Sequence, residues 1–261
     1  TWIKDRDNTE EHVLTDTVRG ATYWIRSNSN AASAALATGL LSWQSDGFTV
    51  GNNGVVGTTD DYVSWNWKGG TTSGITTDGS TTITPSAYSF NTTSGISILK
   101  YTGNVTAGAK LAHGLGATPS MVICKGLDYA NGWAVGQQDV DTTAPWDYAL
   151  RLDKDFAKDN SDGYWNDTAP DSVNVTLGNG DDTNKAANMV AYCFAPKKGY
   201  SKFSSYTGNG NADGQFVYTG FRPAYILLKH SHYTTDWYVF DNKRIGYNVD
   251  NNLLFPNLVT S

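Results

Sequence analysis

Long apolar runs are missing from this chain: no stretch comes near the ~20 consecutive apolar residues that a helix needs to cross a bilayer. No membrane partner is expected on that ground. Basic clusters are missing too, for 19 Lys and Arg stand against 25 Asp and Glu, the formal net charge is −6, and the cations are scattered. Nucleic acid is thereby set aside as a partner, since phosphate contacts need grouped Lys and Arg. Cysteine is scarce, Cys124 and Cys193 being the two present, and so small a number makes no disulfide framework. Each reads as a buried free thiol; a bond between them would need their Cα atoms within about 7 Å. Helical periodicity is thin, with the alanine-rich stretch 30–41 and the stretch 153–158 each offering a turn or two. Catalytic signatures are absent as well: no Gly-x-Ser-x-Gly element lies between a strand and a helix, and none of the four histidines stands in a nucleophile or metal motif.

What is present is strand and turn. The chain is 39% hydrophobic and 13% aromatic, and its apolar stretches are short, alternating and rich in Val, Ile, Tyr and Trp. Such residues suit a pleated, half-buried surface. Between them lie turn signals such as Ser45-Asp46-Gly47, Gly178-Asn179-Gly180 and Gly208-Asn209-Gly210, where Gly and Asn adopt positive φ at little cost. Many short strands with such turns predict an all-β fold of sandwich type.

The strands also repeat. Trp2-Ile3-Lys4, Met121-Val122-Ile123-Cys124-Lys125 and Tyr225-Ile226-Leu227-Leu228-Lys229 echo one another, and eight residues beyond each lysine a second run begins at His12, Trp133 and Trp237. A lead-in, Gly95 to Asn104, recurs as Gly199 to Asn209. Closing strands recur as Tyr62-Val63-Ser64-Trp65-Asn66-Trp67 and Met189-Val190-Ala191-Tyr192-Cys193-Phe194. Aligned, these put Trp65 over Tyr192 and Trp67 over Phe194, and alternation places Val63, Trp65 and Trp67 on one face. Core packing is the expected use of those rings. Self-similarity of this kind marks stacked or tandem units. We read two β-sandwich modules (jelly-roll or lectin-like) plus a partial third: residues 1–69, a Gly/Ser/Thr linker over 70–94 pinned in part by Ile83, Tyr88 and Phe90, a complete module over 95–198, and a partial module over 199–261. A chain that starts and stops inside its own repeat reads as a segment of something longer.

Few residues stand out as sites. Trp146 and Trp165 lie in polar, loop-like surroundings and are the candidate platforms for stacking on sugar rings. Trp133 and Trp237 recur at one repeat position, so packing is the expectation there. The acidic group Asp153, Asp155, Asp159 and Asp162, with Asp181 and Asp182, resembles oxygen-rich loops able to hold Ca²⁺, although the spacing is not that of an EF-hand and solvated turns explain it as well. Ca²⁺ is the one candidate cofactor. His230-Ser231-His232 would set two imidazoles on one strand face, too few for a sound transition-metal site.

Tyr101-Thr102-Gly103-Asn104, His113-Gly114-Leu115-Gly116, Met121 to Lys125, Trp165 to Pro170 and Val190 to Ala195, with Asp16 to Gly20, Ser45 to Thr49 and Tyr218 to Pro223, together resemble an uncharacterised repeat. That repeat occurs in virion and tail-fibre-type proteins of marine tailed bacteriophages, often beside laminin-G or lectin-like domains. The resemblance covers nearly the whole chain outside the linker and rests on turns and strand cores, so it implies no catalytic residue. It implies a non-enzymatic virion appendage protein, part of a tail or head fibre or a decoration, located on the virion or outside the cell. Its partners would be other virion proteins and host-surface glycans, and by fibre analogy it would form a homotrimer. A bacterial surface adhesin or matrix protein is the alternative, and a glycan-active depolymerase domain a more distant one.

Overall fold

The computed structural model describes residues 1–244 and 252–260. The first copy of the repeat supplies β1 (Trp2–Asp5), β2 (Val13–Leu14), β3 (Tyr23–Arg26), β4 (Ala34–Ala35), the hairpin β5 (Leu40–Trp43) and β6 (Phe48–Val50), and β7 (Tyr62–Trp65). Its five-stranded sheet runs β4-β3-β2-β1-β7, antiparallel throughout. The second copy supplies β8 (Ala87–Asn91), β9 (Ile96–Thr102), β10 (Ala109–Ala112), β11 (Met121–Gly126), β12 (Ala134–Gln137), β13 (Tyr148–Arg151), β14 (Asp159–Asn160), β15 (Asn174–Leu177) and β16 (Asn188–Phe194). Its sheet has seven strands in the order β14-β13-β12-β11-β16-β9-β8. The antiparallel β10–β15 pair and two short helices, α1 (Asp162–Trp165) and α2 (Asp181–Asn184), belong to the layer over one of its faces. The third copy contributes the hairpin β17 (Tyr225–Leu228) and β18 (Tyr238–Asp241). The protein is thus an all-β sandwich fold.

The repeat is one of pairing register as well as of sequence. Ile3 lies opposite Val13, Cys124 opposite Ala134, and Leu228 opposite Tyr238. Lys4 lies opposite Val63 as Lys125 lies opposite Val190. Register is held this firmly because a one-residue slip would turn every apolar side chain to the wrong face.

Alternation in β16 explains the layering. Met189, Ala191 and Cys193 point into a core formed with Leu111, Val175, Leu177, Tyr101 and Trp165. Val190, Tyr192 and Phe194 point the other way, into a second core that holds Ile123, Trp133 and Val135 together with Trp2, Ile25 and Trp65 of the first copy and Trp237, Val239 and Leu254 of the third. The three copies, read from the sequence as separate modules, share this second core, so both faces of the central sheet are buried. Trp65 and Trp67 pack there, as their alternation predicts.

Three other expectations change. The stretch 70–94 is more than a linker, since β8 pairs along β9 and buried Ile83 bridges to Leu111. The stretch 30–41 holds β4 and leads into β5, and 153–158 contains no helix. Segments so short do not nucleate helices by themselves, and strand pairing overrides their weak propensity.

Candidate functional site

The most elaborate chemistry in the molecule lies where the three copies meet. At the repeat position eight residues beyond the lysine, Trp133 donates its indole N–H to the carbonyls of Arg26 (3.0 Å) and Ser29 (3.1 Å) in the first copy. Trp237 of the third copy donates in the same way to the carbonyl of Arg151 in the second, at 2.7 Å. Arg26 and Arg151 are equivalent, because Val13 pairs with one as Ala134 pairs with the other. In the first copy the position is His12, which faces the backbone of Phe255 in the third copy, its Nε2 buried without a hydrogen bond. Contacts therefore run from copy two to one, three to two and one to three, closing a ring.

A second set of contacts follows the same direction. The Tyr192 hydroxyl donates to Asp16 at 2.7 Å, and the equivalent Trp65 donates to Asp241 at 3.3 Å. Each acceptor is locked by an arginine three residues on, Arg19 to Asp16 at 2.6 Å and Arg244 to Asp241 at 2.8 Å. Below these, the backbone N–H of His12, Trp133 and Trp237 is received by the side chains of Asn28, Asp153 and Asn257 at 3.0, 3.0 and 2.9 Å. Buried polar groups paired across the seams favour one arrangement of the copies, with His12 Nε2, Arg19 Nη1 and Asp153 Oδ2 left buried without a hydrogen bond.

Two of the repeated lysines, Lys125 and Lys229, reach across the same seams, while Lys4 bonds within its own copy. Lys125 donates to the carbonyls of Asn30, Gly126 and Asn131 and to Asn131 Oδ1, while Lys229 donates to the carbonyls of Asp155 and His230 and Lys4 to those of Asp5 and Asn8. Burial pushes all three ammonium groups below the usual lysine range, Lys125 to about 8, partly offset by nearby carboxylates. Burial likewise holds the His12 imidazole down at about 3, so it is neutral at pH 7. Asp16 stays ionised because the Arg19 guanidinium and the Tyr192 hydroxyl outweigh its desolvation.

The residues singled out for binding lie elsewhere and serve other ends. Trp146 and Trp165 are core residues, 6% and 0% exposed, set edge to face with ring centres 5.7 Å apart. They rest on β12 at Gly136, where a Cβ would lie 2.6 Å from Trp146 and 2.8 Å from Trp165. Neither presents a face to a sugar, which corrects the expectation that polar neighbours mark an exposed ring. Trp133 and Trp237 are buried as well. The six aspartates are not gathered into one cage: among the described residues no group of three or more His, Cys, Asp or Glu is placed to hold a metal ion. Asp182 pairs with Arg151 at 2.8 Å, Asp181 with Lys185 at 2.6 Å, Asp159 accepts from Tyr164 at 2.9 Å, and Asp153 accepts the Trp133 N–H. The Asp155 carbonyl receives the Thr235 N–H, and that of Asp162 receives the Asn166 N–H. His230 and His232 sit in the bend after β17 rather than on a strand, with His230 Nδ1 accepting two backbone N–H groups. Cys124 and Cys193 are free and buried, and burial pushes the Cys124 thiol up to about 12.

Sequence reasoning overlooked the polar partners of the junction. Asp16-Thr17-Val18-Arg19 and Asp241-Asn242-Lys243-Arg244 share an Asp-x-x-Arg spacing that signals the pair, and Gln137 stands at the same repeat position in the second copy. Copy three, read from the sequence as a partial module, differs from the other two at one edge. Among the described residues no strand pairs with the edge of β17 opposite β18.

Over residues 1–261 the chain matches the family described as Domain of unknown function (DUF7483), and it belongs to that family. No curated protein and no solved structure matches it.

Proposed function

We propose that the chain is a non-enzymatic structural or attachment protein of a bacteriophage virion, serving in a fibre or a surface decoration. The observation that carries this reading is the ring of contacts among the copies: Trp133 and Trp237, Tyr192 and Trp65 with Asp16 and Asp241, and Lys125 and Lys229 are consumed in holding one copy against the next. Residues spent on rigidity suit a building block better than a site of turnover. Cys124, Cys193 and His12 are buried and held in their neutral forms, which removes them as nucleophile or acid at neutral pH. The bacteriophage assignment is drawn from the resemblance of the motifs.

An antibody against the chain tests the reading. Gold labelling of purified particles, at a fibre or on the capsid surface, is the expected result; labelling confined to the bacterial envelope would favour the adhesin instead. Incubation with host polysaccharide should release no reducing ends, and release abolished by changing a single carboxylate would overturn the non-enzymatic role.

A further inference from the structure

We propose that copy three is an acceptor for one added β-strand, of the closing type seen in β7 and β16, which inserts between β17 and the lead-in over residues 201–209. The inference rests on repeat geometry and holds whichever assembly the chain serves. In the second copy β16 lies between β11 and β9, pairing with both. Copy three has the equivalents of β11 and β9, but no described strand lies between them. Its lead-in forms no strand over 202–209; Phe203 is half-buried against Phe194 and its carbonyl accepts from Gln138, while beyond it the side chains face solvent. Tyr206, the equivalent of the fully buried Tyr101, is 51% exposed. Ile226 is 39% exposed where its equivalent Val122 is 0%. Phe216 and Tyr218, which precede the glycine-proline turn where copy two has β10, are 87% and 70% exposed. A missing strand accounts for the open edge, which is a template for strand addition; the exposure of Ile226, Phe216 and Tyr218 goes with the layer that β10 and β15 lay over Val122 in copy two and that no described strand forms over copy three.

The ring of contacts specifies the chemistry of that strand. In the first two copies the residue opposite Trp2 and Ile123 is Trp65 and Tyr192, and each donates from its ring to an Asp of the preceding copy in the ring. Leu227 is the third member of the Trp2–Ile123 set. The residue opposite it should therefore be a Trp or Tyr whose donor reaches Gln137, the counterpart of Asp16 and Asp241. Gln137 has an acceptor ready, its Oε1 now receiving the Asp139 N–H at 2.7 Å. The added strand thus continues an interface already made twice within the chain. Its alternate residues should be apolar or aromatic on the junction face, as Val63, Trp65 and Trp67 are.

A peptide of residues 60–68, which carries the β7 pattern, is the probe, added to the intact chain and followed by fluorescence anisotropy and amide exchange. Saturable binding is expected, with new protection over Tyr225–Leu228 and over 201–209. The same peptide carrying Trp65→Ala should bind about tenfold or more weakly, given the contribution of a central buried ring, and a scrambled peptide should not bind. Absence of binding, protection confined to copy one through displacement of β7, or equal affinity of the scrambled peptide would each overturn the proposal. So would a chain that, without peptide, dimerises in solution with residues 201–209 already protected, since a second copy would then be the occupant.

Discussion

Replacing Trp133 with alanine removes the side chain that joins copy two to copy one, and the size of the effect follows from its surroundings. The indole is fully buried in the core common to all three copies. A tryptophan buries roughly 200 Å², worth about 5 kcal/mol at ~25 cal/mol/Å², and measured losses on truncating a buried Trp run about 3–5 kcal/mol. The carbonyls of Arg26 and Ser29 also lose a donor at 3.0 and 3.1 Å. With a urea dependence of roughly 3 kcal/mol/M the midpoint should fall by about 1–2 M. Amide exchange across the urea transition is the assay, read separately in β1–β2 and in β11–β12. Both hairpins should lose protection together at the lowered midpoint. If β1–β2 kept its original midpoint while β11–β12 opened, the copies would be independent modules and the argument from a shared core would fail. Trp133→Phe keeps most of the ring and loses the N–H, so it should cost less, about 1–2 kcal/mol.

His12 should make stability depend on pH. Its folded pKa of about 3 lies below the ordinary 6.5, so the unfolded chain binds the extra proton between those values and stability falls on acidification through that window. The slope it adds is at most about 1.4 kcal/mol per pH unit; His12→Phe should flatten the stability profile between pH 4 and 6.5, and an unchanged profile would refute the assignment. The two thiols should resist iodoacetamide at pH 8 in the native protein and react in urea, because burial disfavours the thiolate of each; native labelling at the rate of a free thiol would show that they are reached by solvent. Gly103 and Gly208 hold the same place in the lead-in, yet a Cβ on Gly103 would lie 2.2 Å from the Lys185 carbonyl while nothing approaches within 4 Å of Gly208. Thermal unfolding should thus show Gly103→Ala destabilised by about 1–3 kcal/mol and Gly208→Ala within about 0.5 kcal/mol of the parent, and equal effects would mean that the third lead-in is packed like the second.

Much of the architecture was legible because it is periodic. Lysine spacing carried the hairpin register, and alternation in Tyr62–Trp65 and Asn188–Phe194 carried the two faces. What alternation cannot give is the partner of each face. Val190, Tyr192 and Phe194 are apolar whether their sheet closes on a second layer of its own copy or on the neighbouring copies, and the choice depends on contacts more than a hundred residues apart. Trp146 and Trp165 misled for a related reason: Asp147 and Asn166 beside them are polar, but a 3-10 turn and a one-turn helix aim the indoles inward while their neighbours face out. The acidic residues misled because a carboxylate bound to Arg151 and one awaiting a cation look alike in a sequence.

Joining three copies in one polypeptide lets each seam of the ring differ, which three identical chains could not do. Trp133 and Trp237 make equivalent bonds, and His12 replaces them at the third seam with a smaller ring that also accepts from Trp2 Nε1 at 3.0 Å. Asp16 and Asp241 are paired acceptors with their own arginines, whereas Gln137 is followed three residues on by Val140 and carries no charge. By repeat equivalence the uncharged acceptor stands at the seam with the one copy whose closing strand is not among the described elements. A buried aspartate left there without a ring donor would bear an unshared desolvation cost, while a glutamine that can turn to the Asp139 N–H bears little. The departure from the repeat at position 137 is therefore what an interface would carry if it had to be stable both before and after a strand arrives.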